Sequence, residues 1–251
     1  MTTQAREHIS QFTLLPGESN AQGELPIPLI ASRLIEVATA HSTSNNFGFA
    51  KLNESNQSWV LSRLAIEMKS YPHVYEQYTI TTWIESVNRH FSERNFLISN
   101  HHGEAIGYAR SIWVIIDKVT RESAPISVMD GIQQLISARP CPIDKQKRLG
   151  NLTEITRENS YQFRYTDIDI NRHVNSARYI EFILNQWDLD FYDTHQIERF
   201  EITYQNEILC GNKATISIDE SLENEIKSEI THKGEKVCNS RIKLKTINSN
   251  S

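Results

Sequence analysis

The sequence predicts an α+β fold built from two similar units, each an antiparallel sheet wrapped around a long central helix. Two observations favour this fold: each half of the chain contains one apolar stripe at helical spacing, and several strand-like segments follow each stripe. A third is a weak similarity between the two halves. The elements are justified below in that order.

The first helix is predicted over residues 26–41, with Pro28 near its start, where a missing N–H costs little. Its apolar stripe consists of Ile27, Ile30, Leu34 and Ala38. The second helix is predicted to begin after Asn175, a good N-cap residue. Its stripe consists of Ile180, Ile183, Leu184 and Trp187.

Segments rich in β-branched and aromatic residues follow each helix and predict strands. In the first half they are residues 59–68, 78–87, 96–100 and 106–116. In the second half they are residues 200–209, 214–219, 226–230 and 237–247. Apolar and polar residues alternate in several of them, as in a sheet with one face in water. Two such sheets could pair edge to edge, which would cover exposed strand edges.

The halves match sparsely at fixed offsets, as between Ile66 and Ile202 or Ile80 and Ile216. Both a duplication and chance similarity among β-rich segments explain such matches. On the duplication hypothesis, the chain divides into a first unit at 1–120, a linker at 121–158 and a second unit at 159–251. The linker contains three prolines and a short helix near 130–137, and it should cross the surface to bring the units together.

The composition is that of an ordinary globular protein with a formal net charge of −5, which gives no overall attraction for nucleic acid. No apolar run approaches the length needed to span a bilayer, and the N-terminus does not resemble a secretory signal. The three cysteines, Cys141, Cys210 and Cys238, lack disulfide or zinc spacing. We therefore expect a cytoplasmic protein without a metal or other cofactor.

The segment before the second helix carries the strongest chemical signal. Asp169, Asn171 and His173 are spaced by two, so an extended segment would point all three side chains the same way. A helix N-terminus beside them supplies N–H donors and a positive dipole for a developing oxyanion. Asp and Asn are also common turn and cap residues, so a purely structural role stays open.

The run Asp167-Ile-Asp169-Ile-Asn171-Arg-His173-Val-Asn175, followed by a helix, resembles the signature of the acyl-ACP thioesterase family of plant plastids and bacteria. Residues 59–64 and 200–211 also resemble segments of that family. The resemblance implies a tandem hotdog fold, fatty acyl release from acyl carrier protein, and catalytic roles for Asp169, Asn171, His173 and Glu207. The plant enzymes place a cysteine directly after that glutamate, whereas this chain has Ile208. A thiol nucleophile is therefore not expected here.

By the same resemblance, the first unit shapes the acyl groove and Trp83, Phe47 and Phe49 are candidate lining residues, although aromatic side chains are often plain core. Strict alternation would place Glu207 on the polar face of its strand, so a catalytic Glu207 needs a strand end, a bulge, or a face that meets the other unit. Arg172 and Arg178, with Arg164 and residues 145–148, are candidates for steering an acidic carrier protein that bears a phosphopantetheine-linked acyl chain. A homodimer stays open.

The expected mechanism is activation of water by Asp169 or Glu207, with Asn171 and His173 assisting. Three alternatives remain: a hotdog thioesterase acting on acyl-CoA, a non-catalytic acyl-binding regulator, and a hydroxyacyl-ACP dehydratase. The first differs only in the carrier. A non-catalytic regulator is expected to lack the acid, amide and imidazole set, which this chain retains. The dehydratase signature lacks the DxNxHxN run that this chain contains.

Overall fold

A computed structural model describes residues 5–126 and 131–247. Its described strands form a single sheet of eleven strands. They are β1 (Glu7–Thr13), β2 (Gln57–Met68), β3 (Gln77–Val87), β4 (Ser92–Asn100), β5 (Ala105–Asp117), β6 (Ser123–Ala124), β7 (Arg157–Gln162), β8 (His195–Tyr204), β9 (Lys213–Leu222), β10 (Glu225–His232) and β11 (Glu235–Thr246). The helices are α1 (Ile27–Ser44), α2 (Phe49–Asn53), α3 (Ser176–Leu184) and α4 (Leu189–Thr194).

The strand order is β1-β3-β4-β5-β2-β8-β11-β10-β9-β7, with β6 added beside β5. Counted outwards from the centre, the two units have the same strand order: β2, β5, β4, β3, β1 in the first and β8, β11, β10, β9, β7 in the second. The two units join where β2 pairs antiparallel with β8, from Arg63 opposite Thr203 to Glu67 opposite Arg199. This pairing confirms the double α+β architecture and the edge-to-edge joining of the units.

The central helices differ in length. Helix α1 has 18 residues and buries Ile30, Leu34 and Val37 against the first half of the sheet. Helix α3 has nine residues, so the prediction of a long helix in the second unit is wrong. It ends at Leu184, and Asp188 then caps the separate helix α4 by accepting a hydrogen bond from the backbone of α4. Trp187 lies between these helices, because the cap interrupts the stripe to which it was assigned.

Three strands, β1, β6 and β7, are not among the strands predicted from the sequence. Strand β1 pairs with β3 along seven residues, and β7 pairs with β9 at the opposite edge of the sheet. Strand β7 consists almost entirely of exposed polar residues, so no apolar alternation marks it. The predicted strand at 200–209 instead runs over His195–Tyr204, and residues 205–212 form a loop.

The turns that precede α1 and α3 repeat the same backbone geometry. Asn20 N donates to Glu24 O at 2.9 Å, and Asp169 N donates to His173 O at 2.9 Å. The fourth residue of each turn is left-handed: Gly23 has a φ of 74° and Arg172 a φ of 66°. The offset from Asn20 to Asp169 is 149 residues.

The loops behind these turns repeat as well. Leu25 N donates to Pro72 O, and Val174 N donates to Ile208 O, both at 2.9 Å. The offset from Pro72 to Ile208 is 136 residues, the same offset at which the isoleucines of the two halves match. Chance similarity does not reproduce matching hydrogen bonds on both sides of a helix, so the duplication is confirmed.

The segment between the units crosses the outer face of the sheet, the face opposite the helices. Two arginines that emerge from this face hold it: Arg110 donates to Cys141 O and Ile143 O, and Arg199 donates to Asp144 O, each at 2.8 Å. A 3-10 turn at Ile132–Leu135 occupies part of the predicted short helix, whose first residue lies outside the described residues. The division at 1–120, 121–158 and 159–251 stays a prediction. No helix among the described residues is long and apolar enough to cross a membrane.

Candidate active site

The segment with the carboxylate, amide and imidazole is a closed turn rather than the extended segment considered from the sequence. Asp169 N donates to His173 O, and Arg172 N donates to Asp169 O at 3.0 Å. The Asp169 side chain stabilises the turn from inside, because its Oδ1 accepts from Asn171 N at 2.8 Å and from His173 N at 3.5 Å. Asp169 therefore acts locally as an Asx-turn residue.

Glu207 lies in the loop after β8, three residues past the last residue of the strand. This position removes the conflict with strand alternation that the sequence raised. Its Oε2 lies 3.3 Å from His173 Nε2, so the structure brings together the imidazole and the carboxylate. The loop is held from both sides, since Ile208 O accepts from Val174 N and Ile208 N donates to Tyr179 Oη at 3.2 Å.

Arg121 completes the cluster and was not found from the sequence. Its Nη2 forms an ion pair with Glu207 Oε2, the same oxygen that faces His173. The arginine lies in the turn between β5 and β6 of the first unit's sheet, one residue past the predicted end of that unit. In the same turn, Asp117 Oδ1 accepts from Val119 N and Thr120 N. No hydrogen bond engages the other Glu207 oxygen, Oε1, within the described part of the chain.

The imidazole of His173 is oriented by one contact only. Its Nδ1 is buried and has no hydrogen-bond partner among residues 5–126 and 131–247. A buried acceptor nitrogen without a partner is less costly than a buried unpaired cationic N–H. The ring is therefore oriented with Nε2 towards the Glu207 carboxylate and Nδ1 towards the interior.

An open cleft of about 670 Å³ contains this cluster and lies between the two units. The second unit contributes the turn 169–176 and Glu207. The first unit contributes apolar side chains from α1, β2 and β5, among them Ile35, Trp59, Val60, Leu61 and Trp113. Trp59 and Trp113 also line a small pocket of about 40 Å³ under the C-terminal half of α1, so this pocket and the cleft are neighbours.

The candidate binding residues are distributed unevenly. Phe47 lines the small pocket, whereas Phe49 is half exposed and its ring lies 4.7 Å from Lys118 Nζ. Trp83 lies outside both cavities on the outer face of the sheet, where its Nε1 donates to Arg139 O at 2.9 Å. The position of Trp83 gives no support to a role in binding the acyl chain.

The two candidate arginines also differ. Arg172 lines the rim of the cleft at the left-handed position of the turn. Arg178 faces along α3 and forms an ion pair with Glu181. Asn175 caps the same helix by accepting from Ala177 N at 2.9 Å, so one N–H of the first turn is already occupied. The positive end of α3 therefore offers fewer free donors than the sequence suggested.

The duplicated turn in the first unit shows which of these groups the fold itself requires. At the position of His173 the first unit has Glu24, and at the position of Glu207 it has Tyr71. The Tyr71 hydroxyl is buried and donates to Ile197 O at 2.6 Å. The same backbone is thus built without an imidazole, a paired carboxylate or an arginine clamp, so the fold does not explain their presence in the second turn.

Within residues 5–126 and 131–247, no group of three or more His, Cys, Asp and Glu side chains is placed to hold a metal ion. Ile208, which stands where the plant enzymes have a cysteine, is fully buried in the core. Cys210 is exposed on the same loop, two residues further on. No cysteine is among the described residues that line the cleft beside Arg121, His173 and Glu207.

Comparisons with known proteins identify the family to which this fold belongs. A model of the acyl-ACP thioesterase N-terminal domain matches residues 6–135, and a model of the C-terminal domain matches residues 150–246. The crystal structure of an acyl-ACP thioesterase from Bacteroides thetaiotaomicron is 37% identical, with a TM-score of 0.89 over 96% of this chain and 98% of that one. A 12:0-ACP thioesterase from Umbellularia californica shares the fold, with 18% identity and a TM-score of 0.85 over 98% of this chain and 96% of that one.

Curated plant relatives are longer. The palmitoyl-acyl carrier protein thioesterase of Gossypium hirsutum is 26% identical over 218 residues, which cover 82% of this chain and 52% of the plant protein. The chain thus spans about half the length of the curated relatives it matches. The duplicated hotdog architecture, the cleft between the units and the two domain matches together show that this chain belongs to the acyl-ACP thioesterase family.

Proposed function

We propose that the chain hydrolyses the thioester of fatty acyl groups carried on acyl carrier protein and releases the free fatty acid. The observation that carries this proposal is the pairing of Glu207 with His173 and Arg121 at the polar end of an apolar cleft. The family and the names of its members supply the carrier and the acyl substrate.

Glu207 is the residue best placed to activate water. Arg121 donates to its Oε2, which His173 Nε2 also faces at 3.3 Å, and this arrangement leaves Oε1 with a free lone pair for the proton of a water molecule. Asp169 is less suited, because its Oδ1 accepts from two backbone N–H groups of its own turn. We therefore assign the base to Glu207 and the shaping of the turn to Asp169.

The reaction then proceeds as an addition followed by an elimination. The water oxygen bonds to the thioester carbonyl carbon while one water proton passes to Glu207. The carbonyl becomes an oxyanion, for which the Asn171 amide is a suitable donor, since its one side-chain hydrogen bond among the described residues, to Asp169 Oδ2, is long at 3.5 Å. Collapse of this intermediate breaks the carbon–sulfur bond, and the thiolate leaves and receives the proton. A thiol pKa near 8.5 makes the thiolate a good leaving group.

The acyl chain would lie along the apolar wall that the first unit contributes. Trp59 and Trp113 border both the cleft and the small pocket, so they define a path from Glu207 into the first unit. Phe47 lies at the far end of that path. We infer that residues 1–120 bind the acyl chain and residues 159–251 supply the base and the imidazole.

The carrier is proposed from chemistry and family. Arg172 at the rim has no ion-pair partner in the part of the chain that the structure describes, so it is free to meet an acidic carrier protein. Arg178 already pairs with Glu181, which makes it a weaker candidate. We infer that the protein acts in the cytoplasm, where acyl carrier protein would be its partner.

The test is hydrolysis of acyl-ACP and acyl-CoA of equal chain length by the purified protein and by E207Q and H173A. We expect turnover of acyl-ACP to fall by about 10²-fold or more in both variants. The matched control is E24Q in the first-unit turn, which should keep normal turnover. Preference for acyl-CoA would assign the alternative carrier, and normal turnover by E207Q would reject Glu207 as the base.

A further inference from the structure

A second cavity lies on the outer face of the sheet, directly across from the cleft. It has a volume of about 720 Å³ and lies where the two units join. We call it the outer groove; it is lined by Ser62, Arg63, Arg148, Leu149, Gly150, Asn151, Thr203, Tyr204, Gln205, Lys236 and Asn239. Its floor is the sheet and its other wall is the segment that crosses from one unit to the other.

The outer groove and the cleft adjoin at the open end of the pairing between β2 and β8. The pairing of β2 with β8 ends at Arg63 and Thr203, so the two strands separate beyond that point. Leu61 lines the cleft and the next residue lines the groove, while Tyr204 borders both cavities. An extended chain could therefore pass from the outer face to Glu207 between the two units.

The charge of the outer groove is positive. Arg63, Arg148 and Lys236 line it, and no Asp or Glu is among its lining residues. Lys236 is engaged with Glu229 and with Asn151. Arg63 and Arg148 form no ion pair or hydrogen bond through their side chains within the described residues, which leaves two guanidinium groups for an anion.

The groove also contains an amide without a partner. Asn239 is 5% exposed, and its Oδ1 is buried with no hydrogen-bond partner among the residues described. Leaving such an acceptor unpaired costs roughly 1–3 kcal/mol. The terminal torsion of asparagine is broad, so a small rotation would offer this oxygen to an N–H donor in the groove.

We propose that the outer groove binds the phosphopantetheine arm of the acyl substrate, with the phosphate on Arg63 and Arg148. The arm is an extended chain with one phosphate at its outer end, two amides along its length and the thioester at its inner end. Asn239 would accept from an arm amide, and the opening beside Tyr204 would admit the thioester to Glu207. This inference rests on the proposed function, and the same arm occurs in carrier proteins and in coenzyme A.

The test is direct binding, measured by isothermal titration with 4′-phosphopantetheine and with pantetheine, which lacks the phosphate. We expect the wild-type chain to bind the phosphorylated probe more tightly. R148A and R63A should each weaken binding of that probe roughly tenfold and leave binding of pantetheine nearly unchanged. Lys147 is exposed on the same segment but does not line the groove, so K147A is the matched control and should bind like the wild type.

The outcomes separate this inference from the proposed function. Equal binding of the two probes, or loss of binding in K147A to the same degree, would overturn the groove assignment even if acyl-ACP is hydrolysed. Binding that depends on Arg148 in a chain without hydrolase activity would support the groove and reject the reaction. Arg148 is exposed, so R148A tests the site even if R63A is unstable. Titrations with holo carrier protein and with coenzyme A then identify which source of the arm binds more tightly.

Discussion

The replacement of Arg121 by alanine tests whether the cleft is a composite of both units. Arg121 and Glu207 are 39% and 38% exposed, so their ion pair should contribute less than about 1 kcal/mol to the free energy of unfolding. For a chain of this length, that corresponds to a melting temperature lower by about 2–4 °C at most. Judged by its effect on stability alone, Arg121 would be dispensable for folding.

Its effect on the reaction should be much larger. Arg121 fixes the oxygen of Glu207 that faces His173 and so determines where the free oxygen points. A displacement of about 1 Å at a catalytic group can lower the rate about 10²-fold. We therefore expect kcat of R121A on acyl-ACP to fall about 10- to 100-fold. Lysine keeps the charge without the planar fork of donors, so R121K should lie between the two.

The assay is steady-state hydrolysis of acyl-ACP at saturating substrate, together with a thermal melt of each variant. Lys51 pairs with Glu54 on α2, outside the lining of the cleft, so K51A is a control for the loss of an exposed ion pair. A kcat of R121A within twofold of the wild type would refute the positioning argument. A fall in melting temperature far beyond a few degrees would show that Arg121 serves the fold instead.

Three further predictions concern the framework of the site. D169A and N20A each remove the side-chain oxygen that accepts backbone N–H groups inside one of the two turns. Each substitution should lower the free energy of unfolding by about 1 kcal/mol in denaturant titrations. Only D169A should also lower turnover. Burial beside Arg94 lowers the pKa of His41 to about 4, so stability should fall as pH drops from 6.5 to 4.5, and H41Q should flatten this slope. Glu201 is buried between two arginines, so its replacement by glutamine should lower the free energy of unfolding by about 3–5 kcal/mol.

The sign of the His41 effect follows from its depressed pKa. Below pH 6.5 the unfolded chain binds a proton at this imidazole that the folded chain does not bind, so acid favours unfolding. The protonated ring would lie against the Arg94 guanidinium, whose Nη1 donates to His41 Nδ1 at 2.9 Å. His8 lies nearby, with ring centroids 6.3 Å apart, and its lowered pKa contributes in the same direction.

The sequence alone was enough to identify the site residues that lie in one turn, but not Arg121, which is distant from that turn along the chain. Asp169, Asn171 and His173 occupy consecutive alternate positions of one turn, so a short run of residues is enough to mark them. Arg121 meets Glu207 only because β2 pairs with β8, and no local pattern encodes that pairing. The same limit applies to Trp83, an aromatic residue in a strand, because which face of the strand is covered depends on the segment that crosses it.

The predicted extents of two elements were wrong for a related reason. Helix α3 ends where Asn185 and then Asp188 satisfy backbone groups locally, although the apolar stripe continues to Trp187. Strand β7 is an edge strand with a polar sequence and forms only because β9 offers unpaired backbone groups beside it. In both cases a backbone hydrogen bond, rather than side-chain hydrophobicity, determined where the element begins or ends.

Duplication gave this fold two equivalent places for chemistry, and only one carries it. In the first unit, the tyrosine at the position of Glu207 is buried and bonded to a backbone oxygen of the second unit, so it strengthens the junction instead of facing a substrate. In the second unit, the equivalent carboxylate stays at the surface of the cleft and receives an arginine from the first. The second unit thus accepts the hydrogen bond of the first-unit tyrosine, and the first unit's sheet supplies the arginine that contacts the second-unit carboxylate. On the proposed function, this difference between the two turns would let a symmetric sheet support an asymmetric site, with the reactive groups on the second unit and the acyl chain against the first.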